Sequence, residues 1–575
     1  MNRTSPICWT CSLWLMALPL VFVAHADDWT RRVLIRAAVV NPPVRTIPHI
    51  ANGAGWRTTV ILVNTSTQAA NFDLKFWDNN GKALALDLGS DGTTADLGGV
   101  IQPGVARFIR SAGTGADLQT GWAQLTAPNT VDGNAIFGLQ STGQGDSEAA
   151  VPLGPTGGND LFVPFDYSPG YSTGIALTNP VKQVAAVSTS LLDDSGKTIP
   201  AAQTISVPPL GHYSDVLADP FPAVQGKRGV VHFSSINLFG LGIRANGKAF
   251  TSIEALANVP SGSKTIAHVA DGGGWRMTFL LVNTGMQASN FTLSFAGDGG
   301  NPLTLPLGAD GTTSSLTGTI QPGGIRIIKS NGTAAKLSTG WGSLLVTGPI
   351  GGTAIFAHQT PGQPDSEAAV PFTRSASTHL FVPYDYTTGY STGIALTNPT
   401  ANQTATVMLS ILDDKGHSPA APTMVYNVPA NGHKSLVLGD LFPGIAGTRG
   451  SVSLTSDVPL FGLGIRANGL AFTSLKVIPT AMEITITNGP SLSIGCVAVG
   501  YHFTFLATGG LPPYTWSIVS GSLAPGLTLG SDGSIGGVPA GFGLFSFTLQ
   551  VTDTDNNSVR GEFTMQINPD ELRPH

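Results

Sequence analysis

The residues Gly170–Pro180 (GYSTGIALTNP) recur letter for letter at Gly389–Pro399, a spacing of 389 − 170 = 219. His49 and His268, Trp56 and Trp275, Trp122 and Trp341, Glu148 and Glu367, and Asp166 and Asp385 keep the same spacing. A fixed period of this kind marks a duplicated folding unit, so a single large fold around one core is ruled out. A second echo lies inside each copy: Gly55–Lys82 aligns with Gly170–Lys197 at 170 − 55 = 115, with Thr58/Thr173, Asn64/Asn179, Asp78/Asp193 and Gly81/Gly196 in register. The chain therefore reads as four related units in two pairs, followed by a different segment. The offset drifts to 466 − 244 = 222 at Arg244/Arg466, which places single-residue insertions in loops, where they are tolerated.

Each unit carries strand signals. Thr58–Val63 (TTVILV) is a β-branched run, Asn71–Trp77 (NFDLKFW) alternates apolar with polar, and Asp78-Asn79-Asn80-Gly81 is a hairpin-closing turn. Further runs follow at Ala83–Leu88, Val100–Ile109, Gly121–Leu125 and Ala135–Leu139. Short strands at intervals of roughly 8–12 residues, without a helical period, predict a β-sandwich. Composition agrees: charged residues are 11% and glycines 72, yet 42% of residues are hydrophobic, enough to build cores. The expected fold is all-β, with tandem β-sandwiches at 47–158, 159–258, 265–377 and 378–479. Val259–Lys264 (VPSGSK) joins the two pairs.

The first residues read as an export signal. Arg3 supplies the positive region, Ser12–Val23 the short apolar run, and Ala24-His25-Ala26 a small-x-small cleavage site, so 1–26 is a signal peptide and 27–46 a lead-in. The expected location is secreted, periplasmic or cell-surface. Loss of Arg3 takes the net charge to 28 − 35 = −7, spread along the chain, which excludes a basic footprint for nucleic acid. No later apolar run approaches the length of a membrane span. Cys496 is expected to be a buried strand residue.

The last segment, 481–568 with a tail at 569–575, has a different character. It contains GGLPPYTWSIVSGSLAPGLTL, SDGSIGGVP and GLFSFTLQVTD, with Gly510, Pro512, Pro513, Tyr514, Trp516, Leu523, Pro525, Gly526, Leu527, Asp532, Gly533, Gly537, Pro539 and Val551-Thr552-Asp553 as landmarks. This pattern resembles the bacterial putative-Ig family (the He_PIG group of cadherin- and immunoglobulin-like domains). The resemblance covers about 85 residues and implies an Ig-like sandwich of the kind found on exported bacterial proteins, without catalytic residues. Trp516 is expected to point inward, Pro525-Gly526 to turn, and Phe545–Val551 to form the final alternating strand.

Few residues suggest chemistry. No Gly-x-Ser-x-Gly, His-Glu-x-x-His or phosphate-loop pattern occurs, and His49/His268 read as structural. Asp146-Ser147-Glu148 recurs as Asp365-Ser366-Glu367, a carboxylate pair able to ligate a cation, do acid/base work, or form a solvated loop. Asp166, Tyr167 and Tyr171 recur as Asp385, Tyr386 and Tyr390. Aromatic faces beside a carboxylate suit a sugar platform, and equally a packed joint between sandwiches. Asp553, Asp555 and Asn557 resemble the Asp-rich linkers of cadherin-like domains and are the candidate calcium ligands. The expectation is an exported, non-catalytic protein for extracellular recognition or adhesion, with Ca2+ as its candidate cofactor and an extracellular protein or polysaccharide as partner. Two alternatives stand beside it: a carbohydrate-binding accessory protein in polysaccharide breakdown, and a hydrolase with an unrecognised site.

Overall fold

The computed structural model describes residues 43–140, 146–154, 157–247, 249–419, 424–469, 471–480, 484–508, 514–553 and 558–569. The candidate calcium ligands Asp555 and Asn557, and the whole proposed signal segment, lie outside them. The chain divides into two units, one spanning Pro42–Ala481 and the other containing the C-terminal domain. Among the described residues no helix is long and apolar enough to cross a membrane.

The first unit holds four β-sandwiches of one topology. In the first, Val44–Asn52, Gln119–Thr126, Ala70–Asp78 and Asp96–Ile101 lie side by side in that order, facing a sheet ordered Ala106–Arg110, Trp56–Asn64, Val131–Leu139, Ser147–Pro152. The third repeats this with Gly262–Asp271, Ser338–Val346, Ser289–Gly297 and Ser315–Ile320 over Ile325–Lys329, Trp275–Asn283, Ile350–His358 and Ser366–Pro371. In the second and fourth sandwiches the two central partners are fused. Arg228–Asn246 pairs with Gly158–Asp166 and Ala185–Asp193 in one sheet, then with Tyr171–Thr178 and Ala249–Glu254 in the other. Arg449–Asn468 does the same in the fourth. Strands that bend from one sheet into its partner make such corners. The 115-residue echo is exact at the strand level: Ala70–Asp78 becomes Ala185–Asp193.

Two side chains explain why those positions stay in register. The buried amides of Asn64 and Asn283 each donate to two carbonyls, Asn64 to Gln68 at 2.7 Å and Ile101 at 2.9 Å, and those of Asn179 and Asn398 reach three, closing the end of a central strand in every sandwich. The Asp78 and Asp193 carboxylates accept backbone N–H bonds inside the hairpin turns, from Asn80 and Lys82 and from Ser195 and Lys197.

The four sandwiches close into a ring. Each hairpin tip docks on the turn that opens the Ala106–Arg110 strand, or its counterpart, in the next sandwich. His212 N–H donates to the Asn79 carbonyl, Ile325 N–H to Asp194 and His433 N–H to Asp298, each at 3.2 Å. At the fourth seam Ser451 donates to the Gly104 carbonyl of the first sandwich. Head-to-tail contacts form a ring only if the rotation closes, and here it closes within one chain.

Closure explains the apolar runs. In Trp56–Asn64, Val60 and Leu62 enter the first sandwich's own core, whereas Ile61 and Val63 pack on Leu475 and Ile478 of the fourth. In Trp275–Asn283, Phe279 and Leu281 face inward, while Leu280 and Val282 meet Ile253 and Leu256 of the second sandwich. A strand buried on both faces reads as continuous hydrophobe instead of alternating.

The C-terminal domain is a β-sandwich. One sheet runs Gly495–Cys496, Ser558–Asn568, Gly543–Thr552, Thr515–Gly521, and the other Tyr501–Thr504, Ser534–Gly537, Leu527–Leu529. Trp516, Phe505, Phe547, Phe563 and Ile535 fill its core, and Cys496 is buried. Gly526 turns the chain at φ +88°, where an added Cβ would collide with the Val538 carbonyl. The strand containing Phe545–Val551 is not the last: Ser558–Asn568 follows and buries Phe563, Met565 and Ile567 against it. Its alternation is carried by residues of mixed size, including Gly561, and shows weakly in the sequence.

Candidate functional site

The predicted aromatic–carboxylate groups and the Asp-Ser-Glu pairs, separate in sequence, meet at two of the four seams. At the seam between the second and third sandwiches, Arg244 leaves the bent strand Arg228–Asn246 and lies fully buried. It donates to Glu367 of the third sandwich and to Asp166 of its own at 3.3 Å, and its guanidinium stacks 3.6 Å from the Tyr171 ring centroid. Arg276 pairs with Asp365 and donates to the Tyr171 hydroxyl at 3.3 Å. The seam between the fourth and first sandwiches repeats the arrangement with the copies exchanged. Arg466 donates to Glu148 and, at 2.8 Å, to Asp385, and stacks 3.5 Å from Tyr390. Arg57 pairs with Asp146, and the Tyr390 hydroxyl reaches Glu148 at 3.2 Å.

Neither arrangement is an open platform. Asp166, Asp385, Tyr167 and Tyr390 are buried; Tyr171 and Tyr386 are half-buried. Tyr167 donates to the Thr173 carbonyl at 2.9 Å and accepts from Ala218 N–H at 2.8 Å, and Tyr386 makes the equivalent bonds with Thr392 and Gly439. Burial pushes the Asp166 carboxyl up, but hydrogen bonds from Ser168 and the Arg244 charge hold it below the ordinary carboxylate range. Burial likewise opposes the Arg244 charge, and Glu367 outweighs it, so the guanidinium is raised and stays protonated. Burial with Glu148 and Asp385 does the same for Arg466. Two ions withdrawn from water need this mutual satisfaction, because either one alone would be strongly destabilising.

The other two seams are built on histidine. His212 donates from Nδ1 to Asn79 Oδ1 at 2.8 Å, which leaves its Nε2 to accept from His49 Nδ1 at 3.2 Å. His433 bonds Asp298 at 2.8 Å and His268 at 3.1 Å in the same way. Burial pushes His49 down to about 4 and His268 to about 3, the latter with a smaller contribution from His433. His268 thus reaches an acid through a second histidine. His212 and His433 carry no sequence signal beyond their shared position.

Asp553 is buried at the end of its strand, and no group of three or more His, Cys, Asp or Glu able to hold a metal ion occurs among the described residues. Sequence reasoning missed Arg244 and Arg466 as the centres of the clusters. The signal available was position: their counterpart in the first sandwich is Phe137, since Thr58 pairs Phe137 as Thr173 pairs Arg244, and a cation replacing a core phenylalanine calls for a buried acid.

No protein family matches the chain, and no curated protein resembles it. Among solved structures, the Sidekick-1 immunoglobulin domains 1–5 align at 12% identity over 87% of this chain and 92% of that one, with a TM-score of 0.14. The protocadherin GammaB4 extracellular domain aligns at 9% identity over 87% and 78%, TM-score 0.15, and the bacterial integrin-binding protein invasin at 10% over 70% and 78%, TM-score 0.12.

Proposed function

We propose that this chain is an exported, non-catalytic recognition or adhesion protein, with the four-sandwich ring as a rigid platform and an appended domain of the He_PIG type. One observation carries the reading: the acidic, basic and aromatic groups that could have formed a reactive cleft neutralise one another inside the seams. They serve closure, which leaves recognition to the outer surface of the ring, its clefts and the terminal domain. A β-scaffold whose elements are held by paired seams can position binding residues on its surface loops. Calcium belongs to this proposal only through the Asp553 region of the terminal domain.

The test is retention of the exported chain on insoluble polysaccharides and on whole-cell surfaces, with calcium and with chelator. Specific retention on either is the expected outcome. Retention on cells that chelator abolishes would add calcium dependence. Turnover of any of these polysaccharides, or retention on none of the surfaces, would overturn the reading.

A further inference from the structure

The seam between the fourth and first sandwiches opens outward into a cleft of about 300 Å3, lined by Arg57, Arg110, Arg449, Phe108, Asp91 and Ser90. Its cations are unequally matched. Arg57 is paired with Asp146, Arg449 donates to Asp414 at 2.7 Å, and Asp91 is taken by Arg107. Arg110 has no ion pair or side-chain hydrogen bond among the described residues, and its Nε is buried without a partner. Arg110 is thus the cation of this cleft that lacks a carboxylate partner, the seam's remaining carboxylates Glu148 and Asp385 both being taken by Arg466. After burial, the Arg110 charge is the main influence pushing the Arg57 guanidinium down. A planar guanidinium without a carboxylate partner, lining a cleft, presents the fork of donors that matches a planar oxyanion.

The duplication supplies an internal control. At the matching seam, Arg110 is replaced by Lys329 (110 + 219), whose ammonium lies 5.7 Å from the Tyr171 ring centroid and beside Asp166. The cleft there is lined by Asp194, Arg228 and Arg326, with Asp194 paired to Arg228 at 3.2 Å and Arg326 paired to Asp310. Charge for charge the two seams match; the difference is that the cation without an ion pair lines the cleft at the first seam, as Arg110, whereas Lys329 is not among the residues lining the second.

We propose that the cleft at Arg110 binds a carboxylate group, free or carried on the uronate residues of an acidic polysaccharide. This deepens the recognition reading above, and its failure is separable: retention on neutral polysaccharides or cells would keep that reading while this one fell. The experiment is calorimetric titration of the full chain with galacturonate, polygalacturonate and neutral galactose, repeated with Arg110→Gln, Arg110→Lys and the control Lys329→Gln. We expect galacturonate to bind and galactose not to, Arg110→Gln to weaken binding about tenfold or more, and Lys329→Gln to leave it unchanged. Arg110→Lys should retain part of the affinity, and thermal melting should show all variants folded. Tighter binding per uronate to the polymer identifies the polysaccharide as the source; equal binding identifies a free carboxylate. Equal affinity in Arg110→Gln, equal binding of galactose, or no heat with excess galacturonate overturns the proposal.

Discussion

Arg466 and Glu148 are separated by 318 residues yet share one buried hydrogen-bonded pair. Replacing Arg466 by Met leaves Glu148 and Asp385 facing each other without their cation, and we expect a loss of about 3–5 kcal/mol. Adding Glu148→Gln should recover part of that loss, and a double-mutant cycle in urea would read the coupling. The histidine seams predict a pH dependence of definite sign. His49 stays neutral in the folded chain down to about pH 4, whereas an unfolded histidine titrates near 6.5. The unfolded state therefore binds the proton first, so stability falls as pH drops from about 6.5 toward 4, by about 1.4 kcal/mol per pH unit for this group. Urea midpoints between pH 7 and 4.5 should show the decline, and His49→Gln should make it shallower without abolishing it, since His268 and His212 are lowered too. What was legible at this scale was the repeated residue, not its use. Asp78 satisfies groups within four residues and Asn64 does so in its bond to Gln68, so these roles could be read locally. Asp166 and Glu367 meet through a cation that lies far from both in sequence, and no local pattern encodes that meeting.

Strands and hairpins were readable because their signals are short-range: the β-branched run at Thr58–Val63 falls inside Trp56–Asn64, and the Asp-Asn-Asn-Gly turn closes a hairpin. The destination of the hairpin tips was not, since a polar Gly-containing turn reads as a solvent-exposed loop. Gly81 sits at φ +78° where an added Cβ would lie 2.0 Å from the Pro209 carbonyl oxygen of the next sandwich, and Gly196 at φ +87° where it would lie 2.6 Å from the Pro322 carbonyl oxygen. Gly226 has a comparable φ of +71° but open space around it. Gly226→Ala should therefore cost only the left-handed backbone strain, about 1 kcal/mol, and Gly81→Ala clearly more, because it also wedges a seam apart. Thermal denaturation of the two variants side by side decides this. The strands buried on both faces carried the missing information, in apolar runs that do not alternate.

At the scale of the first unit, the 219-residue period announced two pairs, and tandem sandwiches were the natural reading. The ring was hidden because closure is a property of the angle between neighbours, set by side chains at four seams. It predicts that the covalent connection at Val259–Ser261, just before the strand Gly262–Asp271, is dispensable. Halves spanning 43–258 and 262–480, produced together, should associate one-to-one through the two arginine seams, and size-exclusion chromatography with light scattering would show a single species of summed mass. Two halves that elute separately as monomers would refute closure.

The alternation of histidine and arginine seams also fixes how this architecture can change its copy number. Adding or deleting one sandwich would set a histidine edge against an arginine edge and strand ions on both sides of the mismatch. Growth or loss is permitted only in steps of a pair, and each step also changes the angle through which the circle must close. An odd number of sandwiches is thus excluded by the seams themselves, before any question of the angle arises.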